Sequence, residues 1–190
     1  MKHYICLPDQ KYPLGDYALT SIQPEHIENI RQWRNAQMDV LRQQEVITKE
    51  QQQQYFAGQV WSELADEQPS KILLSFLHRG QLIGYGGLVH LAWAHRRGEI
   101  SFLVAPERTS DLVVYEQDFS HFLQLIQKLA FKTLKLNRIF TETYAHRKHH
   151  LALLEANGMQ LEGTLREHVL IKGQAVDSLI HGCLSSSYEI

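Results

Sequence analysis

Between Leu134 and Gly163 an apolar strand (Arg138 to Tyr144) runs into a basic segment (His146 to His150), then into a short amphipathic helix ending at Asn157-Gly158, then into a new strand. Enzymes of the α/β type keep their chemistry where a strand end meets a helix start. Tyr144, His149 and His150 could give up or take a proton there. The plainer reading of His146, His149 and His150 is a solvated basic turn. Their spacing puts at most two on one helical face, with no acid or thiol close by, so no metal is expected. Glu99 is a second candidate, because a carboxylate beside apolar neighbours can have its pKa raised toward neutrality. The alternative for Glu99 is an ion pair with Arg96 or Arg97. Trp33, Arg34 and Asn35 join a planar aromatic, a guanidinium and an amide, a set that could bind a nucleotide or a sugar diphosphate. Against this, Trp33 on an amphipathic helix is more often core. Trp93 with Arg96 and Arg97, and Arg166, Glu167, His168 and Asp177 on the final hairpin, are further polar patches that fix no substrate.

The elements that must position these groups follow from hydrophobic period. Tyr17 to Ile22 is a strand, and Pro24-Glu25 opens a helix with Ile27, Ile30, Trp33 or Arg34, Met38 and Leu41 at near-helical spacing. Thr48 and Gln51 form a capping box for a second helix, whose apolar face is Tyr55, Phe56, Val60 and Leu64. Lys71 to Leu77 and Gln81 to Trp93 read as a hairpin about His78-Arg79-Gly80, and a tight connection from Ala94 to Gly98 leads into a fourth strand, Glu99 to Val104. Tyr115 to Leu134 is helical, with Phe119, Phe122, Leu123, Ile126, Leu129 and Ala130 on one face. The fifth strand, Arg138 to Tyr144, then lies parallel to its predecessor through a right-handed crossover. Leu161 to Ile171 and Ala175 to Leu184 close the sheet as a hairpin, and the polar tail Ser185 to Ile190 is expected to fray.

Composition narrows the class. The 190 residues carry 19 Lys plus Arg against 21 Asp plus Glu, a net charge of -2, which sets up no general field for nucleic acid or an anionic membrane. One domain is expected over 1-190, with its core at about 17-184. Cys6 and Cys183 are too few for a disulfide framework, and no signal peptide or spanning segment is evident, so a cytoplasmic protein is expected.

The order β-α-α-β-β-β-α-β-α-β-β, with LIGYGGL on the third strand, GEISFLV on the fourth, LKLNRIFTETY entering the fifth and LLEANGMQLEGTLREHV after it, resembles the GNAT superfamily of acyl-CoA-dependent N-acetyltransferases. WRN at 33 to 35, with ITKEQQQQYF at 47 to 56, is similar to the branch holding ribosomal-protein alanine acetyltransferases and amino-sugar nucleotide acetyltransferases. The resemblance implies an α/β, three-layer fold: a mixed sheet of about seven strands, about four flanking helices, and fourth and fifth strands splayed at their C-terminal ends. It implies acetyl-CoA as co-substrate, Glu99 as general base, and a bulge on the fourth strand freeing a backbone N–H near Leu103 or Val104 for the oxyanion. The tyrosine that many members use as general acid is Leu154 here, leaving Tyr144 and His150 as substitutes. The acceptor is expected to be a small-molecule primary amine, favoured as an amino sugar or its nucleotide, met by Trp33, Arg34 and Asn35. A protein N-terminal amine is the second reading and a catalytically silent binding module the third; the chain is expected to be a monomer or homodimer.

One segment departs from the superfamily pattern. The (Q/R)xxGx(G/A) loop, whose amides would cradle the CoA pyrophosphate at a helix N-terminus, is replaced by PERTSDLVVYEQDF, without glycine. Asp111, Glu116 and Asp118 add negative charge there, so the expectation is that Arg108, Thr109 and Ser110 hold the phosphates in a remodelled loop.

Overall fold

The computed structural model describes residues 1–188 and contains one mixed sheet of eight strands. In chain order these are β1 (Lys11–Leu14), β2 (Tyr17–Ser21), β3 (Ile72–His78), β4 (Gln81–Ala92), β5 (Arg97–Val104), β6 (Arg138–Tyr144), β7 (Gln160–Ile171) and β8 (Gln174–Leu184), arranged spatially as β1-β2-β3-β4-β5-β6-β8-β7. The sequence leads to β2 through β8 within one residue at each end, except that β5 starts two residues early. The unforeseen strand is β1, four residues with Pro13 among them, held antiparallel to β2 at the sheet edge, where proline is tolerated.

The helices are α1 (Ile27–Ala36), α2 (Lys49–Tyr55), the single turn α3 (Pro106–Thr109), α4 (Leu112–Lys128) and α5 (Lys148–Ala156). Thr48 and Gln51 make both bonds of the capping box that starts α2. Asp111 caps α4 through Val113 N–H and Val114 N–H. A π-helical turn at Leu129–Thr133 extends α4. The start of the tail does not fray: Ser185–Ser187 form a 3-10 turn and Tyr188 packs on Phe131; Glu189 and Ile190 lie outside the described residues.

Strand alternation divides the core between the two faces of the sheet. Ile72, Leu74, Phe76, Ile100 and Val104 point toward α4, where Phe119, Phe122 and Ile126 meet them. Leu73, Tyr85 and Leu103 point to the other face and pack on Ile30 and Trp33 of α1 and on Phe56 after α2. Each such side chain contributes about 1.5–3 kcal/mol when fully buried, so both helical layers are fixed to the same sheet. Gly86 lets β4 lie close to β5, because a Cβ there would stand 2.2 Å from the Ser101 carbonyl oxygen.

The feature that creates a site is the parting of β5 and β6. They run parallel but pair only at Arg97↔Arg138, Gly98↔Ile139 and Glu99↔Phe140. Beyond Glu99, β5 stays on β4 as far as Val104 and β6 stays on β8 as far as Tyr144. The expected splay is therefore present.

Candidate active site

Main-chain polarity along the gap follows from register. Ala105 N–H donates to the Ile83 carbonyl, and the β4–β5 register is unbroken from Val104 back to Glu99. In an antiparallel ladder alternate residues turn both polar groups to the same neighbour. Leu103, Ser101 and Glu99 therefore face β4, while Val104, Phe102 and Ile100 turn theirs toward the opened side. The Val104 carbonyl accepts from Gln37 Nε2 at 2.8 Å. Two expectations are corrected. The irregularity in this pair of strands lies between Val89 and Ala92 on β4, where His90 has φ +50, and not on β5. Leu103 N–H belongs to the β4 ladder, so of the two candidates only Val104 presents its N–H to the gap.

Glu99 sits at the closed end of the gap, the last β5 residue paired with β6. It is buried, and its partners are neither Arg96 nor Arg97. Arg42 Nη2 donates to Glu99 Oε1 at 2.7 Å and His90 Nδ1 to Glu99 Oε2 at 2.8 Å. The same Arg42 nitrogen donates to Glu142 Oε2 at 2.8 Å, and His168 approaches the other oxygen of Glu142 at 3.8 Å. Arg42, His90 and Glu142 are functional candidates that the sequence reading passed over. Glu142 could have been found, since strand alternation puts it on the same face as Phe140 and Tyr144.

Tyr144, at the end of β6, lines the same cleft. Burial pushes its phenol above the ordinary value, partly opposed by Arg42; it stays protonated at neutral pH, and among the described residues no group takes its hydroxyl in a hydrogen bond. His150 also lines the cleft but cannot deliver a proton as expected. The Tyr115 hydroxyl accepts from Arg147 Nη2 at 3.2 Å and donates to His150 Nδ1 at 2.7 Å, which fixes the neutral ring with its proton on Nε2. Phe119 stacks on that ring at 4.1 Å. Burial, then Arg147, pushes the His150 pKa well below its ordinary value.

The stability consequence of His150 has a definite sign. Below about pH 6.5 the unfolded chain takes up a proton that the folded protein refuses, so stability falls with acidity by up to about 1.4 kcal/mol per pH unit, and no such loss occurs above pH 6.5. Half-buried His26, also depressed by burial, adds a loss of the same sign. Urea midpoints at pH 7.5 and pH 5 should therefore differ less in His150→Gln than in wild type; an unchanged difference would show that His150 ionises freely in the folded state.

The segment after β5 is occupied by its own contacts. Arg108 binds buried Asp118 through two nitrogens, and the Tyr17 hydroxyl donates to the same carboxylate at 2.9 Å. The Thr109 and Ser110 hydroxyls donate to the carbonyls of Pro106 and Glu107. At the start of α4, the Asp111 carboxylate takes the amides of Val113 and Val114 at 2.9 and 3.2 Å, the groups a phosphate would seek at a helix N-terminus. Arg108, Thr109 and Ser110 are thus structural in this conformation. Cationic groups stand across the cleft instead: Arg147 and Lys148, with His146 beside them, face Pro106, Thr109 and Leu112 around a pocket of about 470 Å³.

A pocket of about 440 Å³ opens on the α1/α2 side, walled by Ile30, Val46, Tyr55, Phe56 and Tyr85, with Arg34 and Glu45 as its charged groups among the described residues. Arg34, Val89 and Ser101 line both this pocket and the cleft at Glu99. Of the three residues expected to meet the acceptor, only Arg34 lines this pocket, its Nη1 donating to the Tyr85 hydroxyl at 2.7 Å. Trp33 is buried in the core between α1 and the sheet. Asn35 pins the loop before α2: its Nδ2 donates to the Ile47 carbonyl, and its Oδ1 accepts from Ile47 N–H and Gln43 Nε2. Among the described residues no three His, Cys, Asp or Glu side chains gather to hold a metal ion, and no helix is long and apolar enough to cross a membrane.

A family model described as the acetyltransferase (GNAT) domain matches residues 19–180. No curated protein sequence matches the chain. Among solved structures, the spermidine N-acetyltransferase from Vibrio cholerae in complex with CoA and spermine has a TM-score of 0.79 at 18% identity, covering 92% of this chain and 99% of that one. A dodecameric structure of spermidine N-acetyltransferase from Vibrio cholerae in an intermediate state has a TM-score of 0.73 at 19% identity, covering 92% and 97%. At such identities the likeness concerns the fold alone.

Proposed function

We propose, from the premise that this chain belongs to the GNAT acetyltransferase family, that it moves the acetyl group of acetyl-CoA to a primary amine entering from the α1/α2 side. The observation that carries this reading is the parted β5–β6 gap, closed at one end by Glu99 and open to a pocket on the acceptor face. The main-chain groups of Ile100 and Phe102 and the N–H of Val104 suit the amide-bearing pantetheine arm, which can add to the exposed edge as a strand would. When bound there, the thioester supplies an activated acyl carbon. Phosphate charge falls to Arg147 and Lys148, because Asp111 already satisfies the amides at the start of α4.

Within that frame each residue has a task. An alkylammonium with a pKa of about 10 cannot attack until it loses a proton. Glu99 removes one, while largely exposed His90 keeps its Nδ1–H on the other oxygen and orients the carboxylate. As the C–N bond forms and the C–S bond breaks, Val104 N–H donates to the acyl oxygen. Tyr144 gives its proton to the departing thiolate and recovers one from the new amide nitrogen. Buried, neutral His150 orients the cleft wall.

The acceptor pocket favours an amine on a compact ring, such as an amino sugar, over a long polycation. Its wall is aromatic and aliphatic with Glu45 as the one carboxylate among the described residues, too little opposite charge for several ammonium groups. Thiol release with glucosamine, spermidine and an N-terminal Ala peptide as acceptors checks this: the amino sugar should give the highest kcat/KM. A tenfold advantage for spermidine or for the peptide would replace the acceptor with that class. Thermal unfolding separates these readings from a silent module, since CoA at 100 times its Kd adds about 2.7 kcal/mol and a protein that ignores CoA gains nothing.

A further inference from the structure

The Arg42 guanidinium stands where the two separated strands come within reach of one cation. Its Nη2 donates both to Glu99 on β5 and to Glu142 on β6, at 2.7 and 2.8 Å. These carboxylates belong to strands that no longer pair at Glu142, so the nitrogen bridges the gap itself. Both acids line the cleft and their side chains are largely buried, at 10% and 14% exposure, whereas Arg42 is 51% exposed. Arg42 lies in the connection between α1 and α2, a segment tied down by Asn35 and Gln43. Its backbone can stay in place while the long side chain swings out to water.

We infer that Arg42 is a resident cation in the ammonium subsite, that Glu99 and Glu142 together hold the acceptor amine in its protonated form, and that the acceptor binds by displacing the Arg42 side chain. The assignment rests on the acetyl-transfer reading above and deepens it by naming Glu142 as a substrate-positioning residue and Arg42 as a competitor built into the fold. An ammonium group offers three N–H donors, enough for one oxygen of each carboxylate and one water. A neutral alcohol of the same size offers one donor and no charge to two anions, so the cradle selects amines over hydroxyls. Emptying the subsite has a modest cost, because a half-exposed guanidinium regains water as it leaves.

The test uses n-butylammonium as the probe and n-butanol as the uncharged control, titrated into the CoA-saturated protein with backbone amide shifts near Glu99 and Glu142 as the readout. Arg42→Ala should bind n-butylammonium roughly tenfold more tightly than wild type, the gain expected when two partly exposed ion pairs no longer compete. Glu142→Gln should bind it roughly tenfold more weakly, through loss of a charge-assisted contact, with CoA affinity unchanged. Equal binding by wild type and Arg42→Ala, undiminished binding by Glu142→Gln, equal binding of n-butanol, or no binding by any of them would overturn the assignment. Should Arg42→Ala fail to fold, the Arg42 Nε–H resonance in wild type decides: n-butylammonium should move it toward that of a solvated guanidinium, and an unmoved resonance rejects displacement. Failure of the underlying reading shows itself separately, as absence of any thermal stabilisation by CoA.

Discussion

Glu99→Gln should lower kcat by roughly tenfold to ten-thousandfold at neutral pH, the range spanned by positioned proton transfer. Part of the deficit should disappear as pH rises toward the amine pKa of about 10, because free amine then arrives without help. The side chain is buried at the closed end of the gap and bound to Arg42 and His90, so glutamine fills the same space and keeps a carbonyl for one donor. The test therefore concerns proton removal more than shape. A purely positioning role would give a deficit that does not shrink with pH, and unchanged turnover at every pH would move the base to another residue or to a chain of waters. His90→Ala supplies an internal comparison. It removes that orienting donor while leaving the carboxylate, so it should slow turnover less than Glu99→Gln does.

Sequence period and the resemblance together led to the gap, because each rests on features that survive in any member of such a fold. Two apolar strands separated by one long amphipathic helix must lie parallel, and β5 and β6 do. Glu99 was legible for the same reason: it opens the apolar run of its strand. The contacts around it were not. Arg42 lies in a connection without period, and its bond to Glu99 spans 57 residues, so nothing local announces it. Trp33 and Asn35 looked like a ligand-binding triplet with Arg34, but consecutive helical residues point about 100° apart. One turned into the core, one to the 41–47 loop and one to the pocket. A triplet on a helix is thus weak evidence for a shared ligand. Strand residues at alternate positions, such as Glu142 and Tyr144, are stronger evidence.

The phosphate loop shows the same limit, and it carries the largest expected effect on stability. Arg108 and Asp118 are ten positions apart, and only the corner between α3 and α4, turned at Ser110 and Asp111, folds the guanidinium back over the carboxylate. Asp118 is wholly buried, with the Tyr17 hydroxyl as its other donor. Arg108→Ala leaves that carboxylate with one neutral donor, and breaking a buried pair from one side costs about 3–5 kcal/mol, a large share of the total for an ordinary domain. The urea midpoint should drop accordingly. In the double variant Arg108→Ala/Asp118→Asn the loss should be smaller than the sum of the two single losses, because the second substitution removes the stranded charge. CoA affinity of the folded fraction should stay within about twofold of wild type, since a lost phosphate contact would instead cost about 1.5–3 kcal/mol of binding. A variant that keeps its stability and loses CoA would return Arg108 to the phosphates and require α3 to open when the cofactor binds.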